Sequence, residues 1–170
     1  MFAVTGQALT LRRAVVSIPK PCLAVLLLFS ICSSSFPFDR VNVTATDLNA
    51  MAPSAYRFTF VCGNSISADA QIQIIFPQNY TLTNTVLASS KSLNGGLAVS
   101  VKGDTVEVRR SGLGVVLEAG ELCDLTLATL LNPSVMKKQY RYELLILENG
   151  YVRDRDTITA SISPFRSARR

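Results

Sequence analysis

The sequence predicts an all-β domain, an antiparallel sandwich of two sheets, preceded by an N-terminal hydrophobic signal helix. Three observations predict this architecture. From Val41 onwards, apolar and polar residues alternate with a period of two, turn residues separate the alternating runs, and a compact apolar run precedes them all. The 170 residues therefore divide into a leader at 1–35, a β-sandwich domain at 36–163 and a basic tail at 164–170.

The leader has the organisation of a secretory signal. Basic residues at 12–20 precede an apolar run at 22–32, and Ser33–Ser35 supply the small residues of a cleavage site. The run is shorter than the roughly 20 apolar residues that a membrane-spanning helix needs. We expect a cleaved signal. An uncleaved signal-anchor, which also places the domain outside, and an organelle-import presequence at 1–20 are the alternatives.

The charge distribution argues against nucleic-acid binding. The chain has 17 Lys and Arg against 12 Asp and Glu, a net charge of +5. All 12 acids and 11 of the basic residues lie within 36–165, so this body has a net charge of −1 and the surplus lies in the leader and tail. A nucleic-acid-binding domain would carry a basic patch on its folded body. The chain contains no histidine, which removes His-dependent catalytic arrangements and His-ligated zinc, and we expect no cofactor or metal.

The first half of the body predicts four strands. Alternation predicts the first at 41–45 and the second at 56–62. The third, at 72–76, is stopped by Pro77, which cannot donate a ladder hydrogen bond. A weaker β-rich stretch follows at 80–87.

The second half begins with the clearest hairpin, in which Lys102–Asp104 forms a tight turn between strands at 97–101 and 105–109. The segment 111–119 is predicted as a loop because of its Gly and Ser residues. Further strands are predicted at 123–127, 140–147 and 157–162. Eight or nine short alternating strands favour antiparallel sheets packed as an immunoglobulin-like or jelly-roll sandwich, with a closed barrel as the alternative.

The body contains two cysteines, Cys62 and Cys123, and each occupies the apolar phase of its strand. We expect facing sheets to bring them together, and an oxidising compartment to join them in a disulfide worth roughly 4 kcal/mol. Two separate buried thiols are the alternative. Two glycosylation sequons, beginning at Asn42 and Asn79, fit an exported chain.

Tyrosines are the candidate ligand-binding residues. Tyr56 and Tyr142 lie in core phase, which leaves Tyr80, Tyr140 and Tyr151 for a binding surface.

Other polar motifs favour structural interpretations. The segment 153–156 has calcium-type oxygens but interleaved arginines, which favours an alternating-charge hairpin facing water. Glu118 and Glu121 could serve as paired carboxylates for glycoside chemistry, but they lie beside a turn without surrounding aromatic residues, which argues against it. Ser and Lys residues at 89–92 lack further support as a nucleophile, and 112–114 lacks the context of a phosphate loop.

A resemblance to a known class of modules follows from the order of these motifs. Phe58–Phe60 is followed by a strand and turn at 72–80, and the segment 130–134 precedes a Tyr-rich strand. Over about residues 41–163 this order resembles the immunoglobulin-like β-sandwich modules of bacterial and protist cell-surface proteins. The resemblance implies extracellular display with adhesive or structural duty, usually in tandem, and no active-site residues. This sequence holds one such module, which leaves a stand-alone role and a truncated gene both open.

Together these observations predict a non-enzymatic exported or cell-surface module for structure or adhesion. Its partner would be a protein or glycan at the cell surface. Edge strands or the loops 63–70, 88–96 and 111–120 would bind that partner. The chain would contact a membrane only through an uncleaved leader. A carbohydrate- or small-ligand-binding module and an organelle-imported β-sandwich subunit are the alternatives.

Overall fold

Alternating side chains build two five-stranded sheets whose inner faces form the core. The computed structural model describes residues 38–164. In chain order the strands are β1 Phe38–Ala45, β2 Pro53–Cys62, β3 Gln71–Ile75, β4 Leu87–Ser89, β5 Leu97–Lys102, β6 Thr105–Arg110, β7 Leu122–Leu131, β8 Tyr140–Glu148, β9 Tyr151–Ala160 and β10 Ile162–Pro164.

The strands are ordered β10–β1–β2–β7–β4 in sheet I and β5–β6–β3–β8–β9 in sheet II. This arrangement confirms the all-β sandwich for the described residues. The closed-barrel alternative is wrong, because the strands form two separate sheets. All neighbours run antiparallel except β1 and β10, which pair in parallel with Val43 opposite Ile162. The expectation of purely antiparallel sheets is therefore wrong at this edge, because the chain crosses from sheet II to sheet I before forming β10.

The described chain has ten strands where the sequence predicts eight or nine. Of the weak stretch predicted at 80–87, Thr81 pairs in a bridge to Leu131 and Leu87 begins β4. The final strand predicted at 157–162 is two strands, and the first of them already begins at Tyr151. The turn before it is tight because Asn149 and Gly150 both adopt positive φ angles, 52° and 81°.

Strict alternation in β2 buries every second side chain and delivers aromatic rings to the core. The Phe76 ring lies at the centre of this packing, with ring centroids 5.8 Å from Phe58, 5.5 Å from Tyr142 and 5.3 Å from Tyr80. All three contacts are edge-to-face, a geometry that adds about 0.5–1.5 kcal/mol per pair beyond burial. The aromatic rings therefore join the two sheets.

Buried hydrogen bonds begin at Tyr56, whose ring packs edge-to-face on Phe76. The Tyr56 hydroxyl donates to Asn132 Oδ1 at 2.6 Å. Asn132 Nδ2 in turn donates to the backbone carbonyls of Asp47 at 3.0 Å and Asn49 at 2.8 Å. Asn132 thus ties the β1–β2 connection to the end of β7.

Residues 38–164 contain no helix long and apolar enough to cross a membrane. The leader expected at 1–35 and the basic tail after Pro164 lie outside the described residues.

Candidate functional site

Three segments meet at one end of the sandwich: 63–70, 88–96 and 111–120, here called the loop end. The first two residues of the second segment belong to β4, and the rest of it is loop. Ile66 and Leu117 join the first and third loops through reciprocal backbone hydrogen bonds of 2.8 and 3.0 Å. The Ser111 amide donates to the Gly96 carbonyl at 2.9 Å and joins the third loop to the second. The loops predicted as binding loops therefore form one connected surface.

The Arg110 side chain anchors all three loops from inside the protein. Arg110 ends β6 on its inner face and is 3% exposed. Its Nη1 donates to the carbonyl oxygens of Ile66 at 3.0 Å and Ser67 at 2.5 Å. Its Nη2 donates to Val115 at 2.6 Å and Asn94 at 3.4 Å. One guanidinium thus satisfies carbonyl groups from every loop of the loop end.

The acceptors of Arg110 are backbone carbonyls, and no carboxylate pairs with it among residues 38–164. Burial lowers the pKa of the Arg110 guanidinium, while the charges of Cys123 and Asp69 oppose that shift. Arg110 was not among the predicted site residues, because the strand was predicted to end at residue 109. The available signal is the alternation of β6, in which Val106, Val108 and Arg110 share one face.

Gly114 permits the close approach of two loops at this anchor. A Cβ atom at position 114 would lie 2.2 Å from the Asn94 carbonyl oxygen and 2.9 Å from an Arg110 nitrogen. The next amide, of Val115, donates to Asn94 Oδ1 at 2.8 Å. The glycines at 112–114 thus belong to a structural contact between loops.

The third loop places apolar side chains in solvent next to the hydrogen bonds of Arg110. Leu113 is 88% exposed, and Val115 and Val116 are also exposed. Exposed apolar side chains on ordered backbone are a common feature of protein-binding surfaces.

A second anchor holds the loop 88–96 against sheet I. Asp124 is buried on β7, and its Oδ1 accepts the backbone amides of Lys91 at 2.6 Å and Ser92 at 3.1 Å. Its Oδ2 accepts Arg57 Nη2 at 2.7 Å. Burial alone would raise the pKa of the Asp124 carboxyl, but these hydrogen bonds outweigh it and hold the pKa below its ordinary value. The residues at 90–92 therefore donate hydrogen bonds to the Asp124 carboxylate, which gives this Ser and Lys cluster a structural role.

A polar cleft opens beside the loop end on the outer face of sheet II. Its volume is about 450 Å³. Arg109 and Gln71 lie opposite each other across β6 and β3, and Leu147 lies opposite Gln71 on β8. The full lining is Asp69, Gln71, Arg109, Arg110, Ser111, Leu147, Asn149 and Gly150. Arg109 was not predicted as a site residue, because alternation identifies its outward direction but not the cleft around it.

The β8–β9 hairpin at this end corrects one expectation. Arg153 is exposed and its Nη1 lies 2.8 Å from the Glu148 carboxylate, in line with a water-facing charged hairpin. Asp154, however, is buried and accepts a 2.7 Å hydrogen bond from Asn64. The water-facing interpretation of 153–156 is therefore wrong for Asp154. Within 38–164 no three acidic or thiol side chains cluster as a metal site would require.

The candidate tyrosines separate into different environments. Tyr140 is 5% exposed, so its expected place on the surface is wrong: it follows the inward phase of Tyr142 two residues later. Tyr80 is half-buried, and its ring packs edge-to-face on Tyr56 and Tyr140. Tyr151 is 79% exposed and directly follows Gly150, which lines the cleft.

The cysteines are buried thiols on neighbouring strands of one sheet. Cys123 lies opposite Phe60, and Cys62 lies two residues further along β2, so the pair is diagonal. The expectation that facing sheets bring them together is wrong, and the disulfide is not formed in the structure. Diagonal Cα atoms are about 7–8 Å apart, beyond the usual span of a disulfide. The hydrogen bond with Cys62, and then burial, raise the pKa of the Cys123 thiol.

The remaining candidates lie at the surface. Asn42 and Asn79, the sequon residues, are exposed. Glu118 and Glu121 are exposed in the turn before β7, and Glu121 Oε2 accepts the Glu118 backbone amide at 2.9 Å. That carboxylate closes its own turn rather than facing a second acid.

No protein-family model matches the chain, and no curated protein matches it in sequence. Solved structures are similar in architecture. The N-terminal domain of a Streptococcus gordonii adhesin is 11% identical, with a TM-score of 0.43 over 73% of this chain and 32% of that chain. A cohesin module from a Clostridium perfringens family 33 glycoside hydrolase is 16% identical, with a TM-score of 0.42 over 74% of this chain and 98% of that chain.

Two domains of the major pilin SpaD of Corynebacterium diphtheriae are 11% identical to this chain, with a TM-score of 0.45 over 72% of it and 50% of the pilin chain. The chain thus spans about a third of the solved adhesin chain and half of the pilin chain.

Proposed function

We propose that the chain is a non-enzymatic, extracytoplasmic module of structure or adhesion that binds a partner through its loop end. One observation carries the proposal: the buried Arg110 guanidinium donates to carbonyls of all three loops. Burying a cation without a counter-charge is costly unless hydrogen bonds replace its water. Loops held in one arrangement lose little conformational freedom when a partner binds, which favours a binding role.

The exposed side chains of the loop end suggest the kind of partner. Leu113, Val115 and Val116 present an apolar tip on backbone that Arg110 fixes. An apolar centre surrounded by polar groups is the usual composition of a protein-binding patch. A protein at the cell surface is therefore the first candidate partner.

Binding is tested with the full chain made in an exporting host, on a panel of immobilised extracellular-matrix proteins. Leu113→Asp places a charge on the loop end, and the matched variant Val135→Asp charges a side chain, 72% exposed, in the β7–β8 connection at the opposite end. We expect binding to be lost in the first variant and retained in the second. Equal binding by both variants, or none by the parent protein to any panel member, contradicts the proposal.

Export is a separate part of the proposal, supported by the signal-like leader at 1–35 and by the exposure of both sequon residues, Asn42 and Asn79. N-terminal sequencing of the product from its own host should find cleavage near Ser35. An intracellular product with an intact leader contradicts export, and a trimmed product in an organelle fraction supports the imported-subunit alternative instead.

A carbohydrate- or small-ligand-binding module is the second candidate function. It is favoured by Tyr151, the exposed tyrosine beside the cleft. Glycan-array binding that is lost in Tyr151→Ala supports this function, and unchanged binding in that variant argues against it.

A further inference from the structure

The cleft beside the loop end contains a guanidinium without a protein partner. Arg109 is exposed on the outer face of β6, and its side chain makes no hydrogen bond or ion pair with any residue between 38 and 164. Two other exposed arginines, Arg153 and Arg155, each lie 2.8 Å from a carboxylate oxygen, whereas the exposed Arg141 is unpaired within the described residues but lies outside the cleft lining. Arg109 is therefore available to an external anion.

The polar side chains near Arg109 have hydrogen-bonding capacity left for a ligand that carries both a carboxylate and hydroxyl groups. The Ser111 hydroxyl accepts the backbone amides of Gly96 at 3.0 Å and Leu113 at 3.4 Å, so its own proton remains available for donation. The side-chain amides of Gln71 and Asn149 make no hydrogen bond within the described residues. Amides donate and accept, which suits the hydroxyl groups of a sugar.

The available cation and the size of the cleft fit the same ligand. Its charged lining residues are Arg109, Asp69 and Arg110, but the Arg110 guanidinium lies on the inner face of β6 and donates to four loop carbonyls, so Arg109 is the cation left to meet a ligand. Asp69 already accepts the Ser67 hydroxyl at 2.8 Å. The volume of about 450 Å³ lies within the range typical of small-ligand sites, about 300–1,000 Å³.

Backbone hydrogen bonds from the end of β6 and the third loop to the first loop hold the walls of the cleft. The Arg110 backbone amide donates to Ala70 at 3.0 Å, and the Gly112 amide donates to Ala68 at 2.9 Å. Leu147 supplies an apolar floor, and the exposed Tyr151 ring stands beside the turn that closes one side. An apolar floor and an aromatic ring contact the C–H faces of a sugar.

We propose that this cleft binds an acidic saccharide, whose carboxylate pairs with Arg109 and Ser111 while Gln71 and Asn149 contact its hydroxyl groups. The fork of a guanidinium matches both oxygens of a carboxylate, which gives the acidic sugar its preference over a neutral one. The inference deepens the proposed function and rests on the chain being a binding module. It assigns the ligand class of the cleft, distinct from the apolar tip at Leu113.

The test is calorimetric titration of the exported protein with oligogalacturonate, with the matched neutral galactose oligomer and with an oligoglutamate peptide. We expect the uronate to bind, the neutral oligomer to bind at least tenfold more weakly, and Arg109→Gln to weaken uronate binding at least tenfold. Arg141→Gln is the matched control, since Arg141 is exposed on the outer face of β8 and lies outside the cleft lining. Its affinity should stay within twofold of the parent protein.

Three outcomes overturn the inference: no uronate binding at millimolar concentration, equal affinity for the neutral oligomer, or an Arg109→Gln affinity within twofold of the parent. Tighter binding of oligoglutamate than of uronate would assign the cleft to acidic peptides instead. If uronates fail while a Leu113-dependent protein partner is still bound, the ligand class is wrong and the proposed function stands.

Discussion

The Arg110 guanidinium donates to the Val115 carbonyl oxygen at 2.6 Å and thereby connects a buried position on β6 to an exposed loop. The contact joins the folded core to the surface that we propose for binding. Because Arg110 also contacts carbonyls of the two other loops, a change at this residue should alter all three together.

Replacing Arg110 with Met should destabilise the protein by about 3 kcal/mol, because four carbonyl groups lose a charged donor and some stay buried. Arg109→Met is the matched control, since this neighbour is exposed, and should change stability by less than about 0.5 kcal/mol. Urea denaturation measures both changes. Equal transition midpoints for the two variants would show that the anchor contributes little to stability.

Replacing Gly114 with Ala should force two loops apart, because the new Cβ would lie 2.2 Å from the Asn94 carbonyl oxygen. We expect a loss of about 1–3 kcal/mol, typical of overpacking, with faster amide exchange in the loops 88–96 and 111–120. Gly96→Ala is the milder control, since a Cβ atom added there would lie 3.3 Å from its nearest neighbour, the Ser111 Cβ. Unchanged exchange rates in Gly114→Ala would contradict the close loop contact.

Stability should fall in acid through Asp124. The pKa of its carboxyl is lower in the folded state than in the unfolded chain, so its contribution is present above the unfolded pKa, near 4, and is lost as pH falls through the folded value. Asp124→Asn should reduce the loss of stability measured between about pH 5 and pH 2. Asp104→Asn, at an exposed turn, is the control. An identical pH profile for parent and Asp124→Asn contradicts the assignment.

Strand positions were predictable because alternation is local, as in β2, β6 and β8. The burial of Tyr140 could also be predicted from this pattern, since Tyr140 lies two residues before Tyr142 and so points to the same face of the strand. The diagonal placement of Cys62 and Cys123 was not available, because alternation says which face a residue occupies and not which strands are neighbours.

The candidate site was harder to predict than the fold. The three loops proposed for binding lie together at one end of the sandwich, and their binding role stays a prediction. Arg110 stands in sequence as an ordinary charged residue at a strand end. Its importance comes from four carbonyl groups supplied by segments up to 44 residues away. The Arg109 cleft likewise requires β3, β6 and β8 to be neighbours, which is a property of the sheet order.

Alanine substitutions should separate packing tyrosines from a surface tyrosine. Tyr140→Ala removes a buried ring and its hydrogen bond from the Lys137 amide, at 2.8 Å, and should cost about 3–5 kcal/mol. Tyr151→Ala should change stability by less than about 0.5 kcal/mol, because its ring is exposed. Thermal or urea unfolding compares the two, and similar losses for both would contradict the burial difference.

Alkaline titration should reveal the buried tyrosines. Burial is the first cause that raises the pKa of the Tyr56, Tyr80 and Tyr142 hydroxyls. Because these folded values exceed the unfolded value of about 10, the contribution to stability is complete below that pH and declines as pH rises further. Tyrosinate absorbance at about pH 11 should therefore stay below that of all five tyrosines until near-ultraviolet circular dichroism is lost. Reversible ionisation of all five near pH 10, with the dichroism intact, would contradict the aromatic core described above.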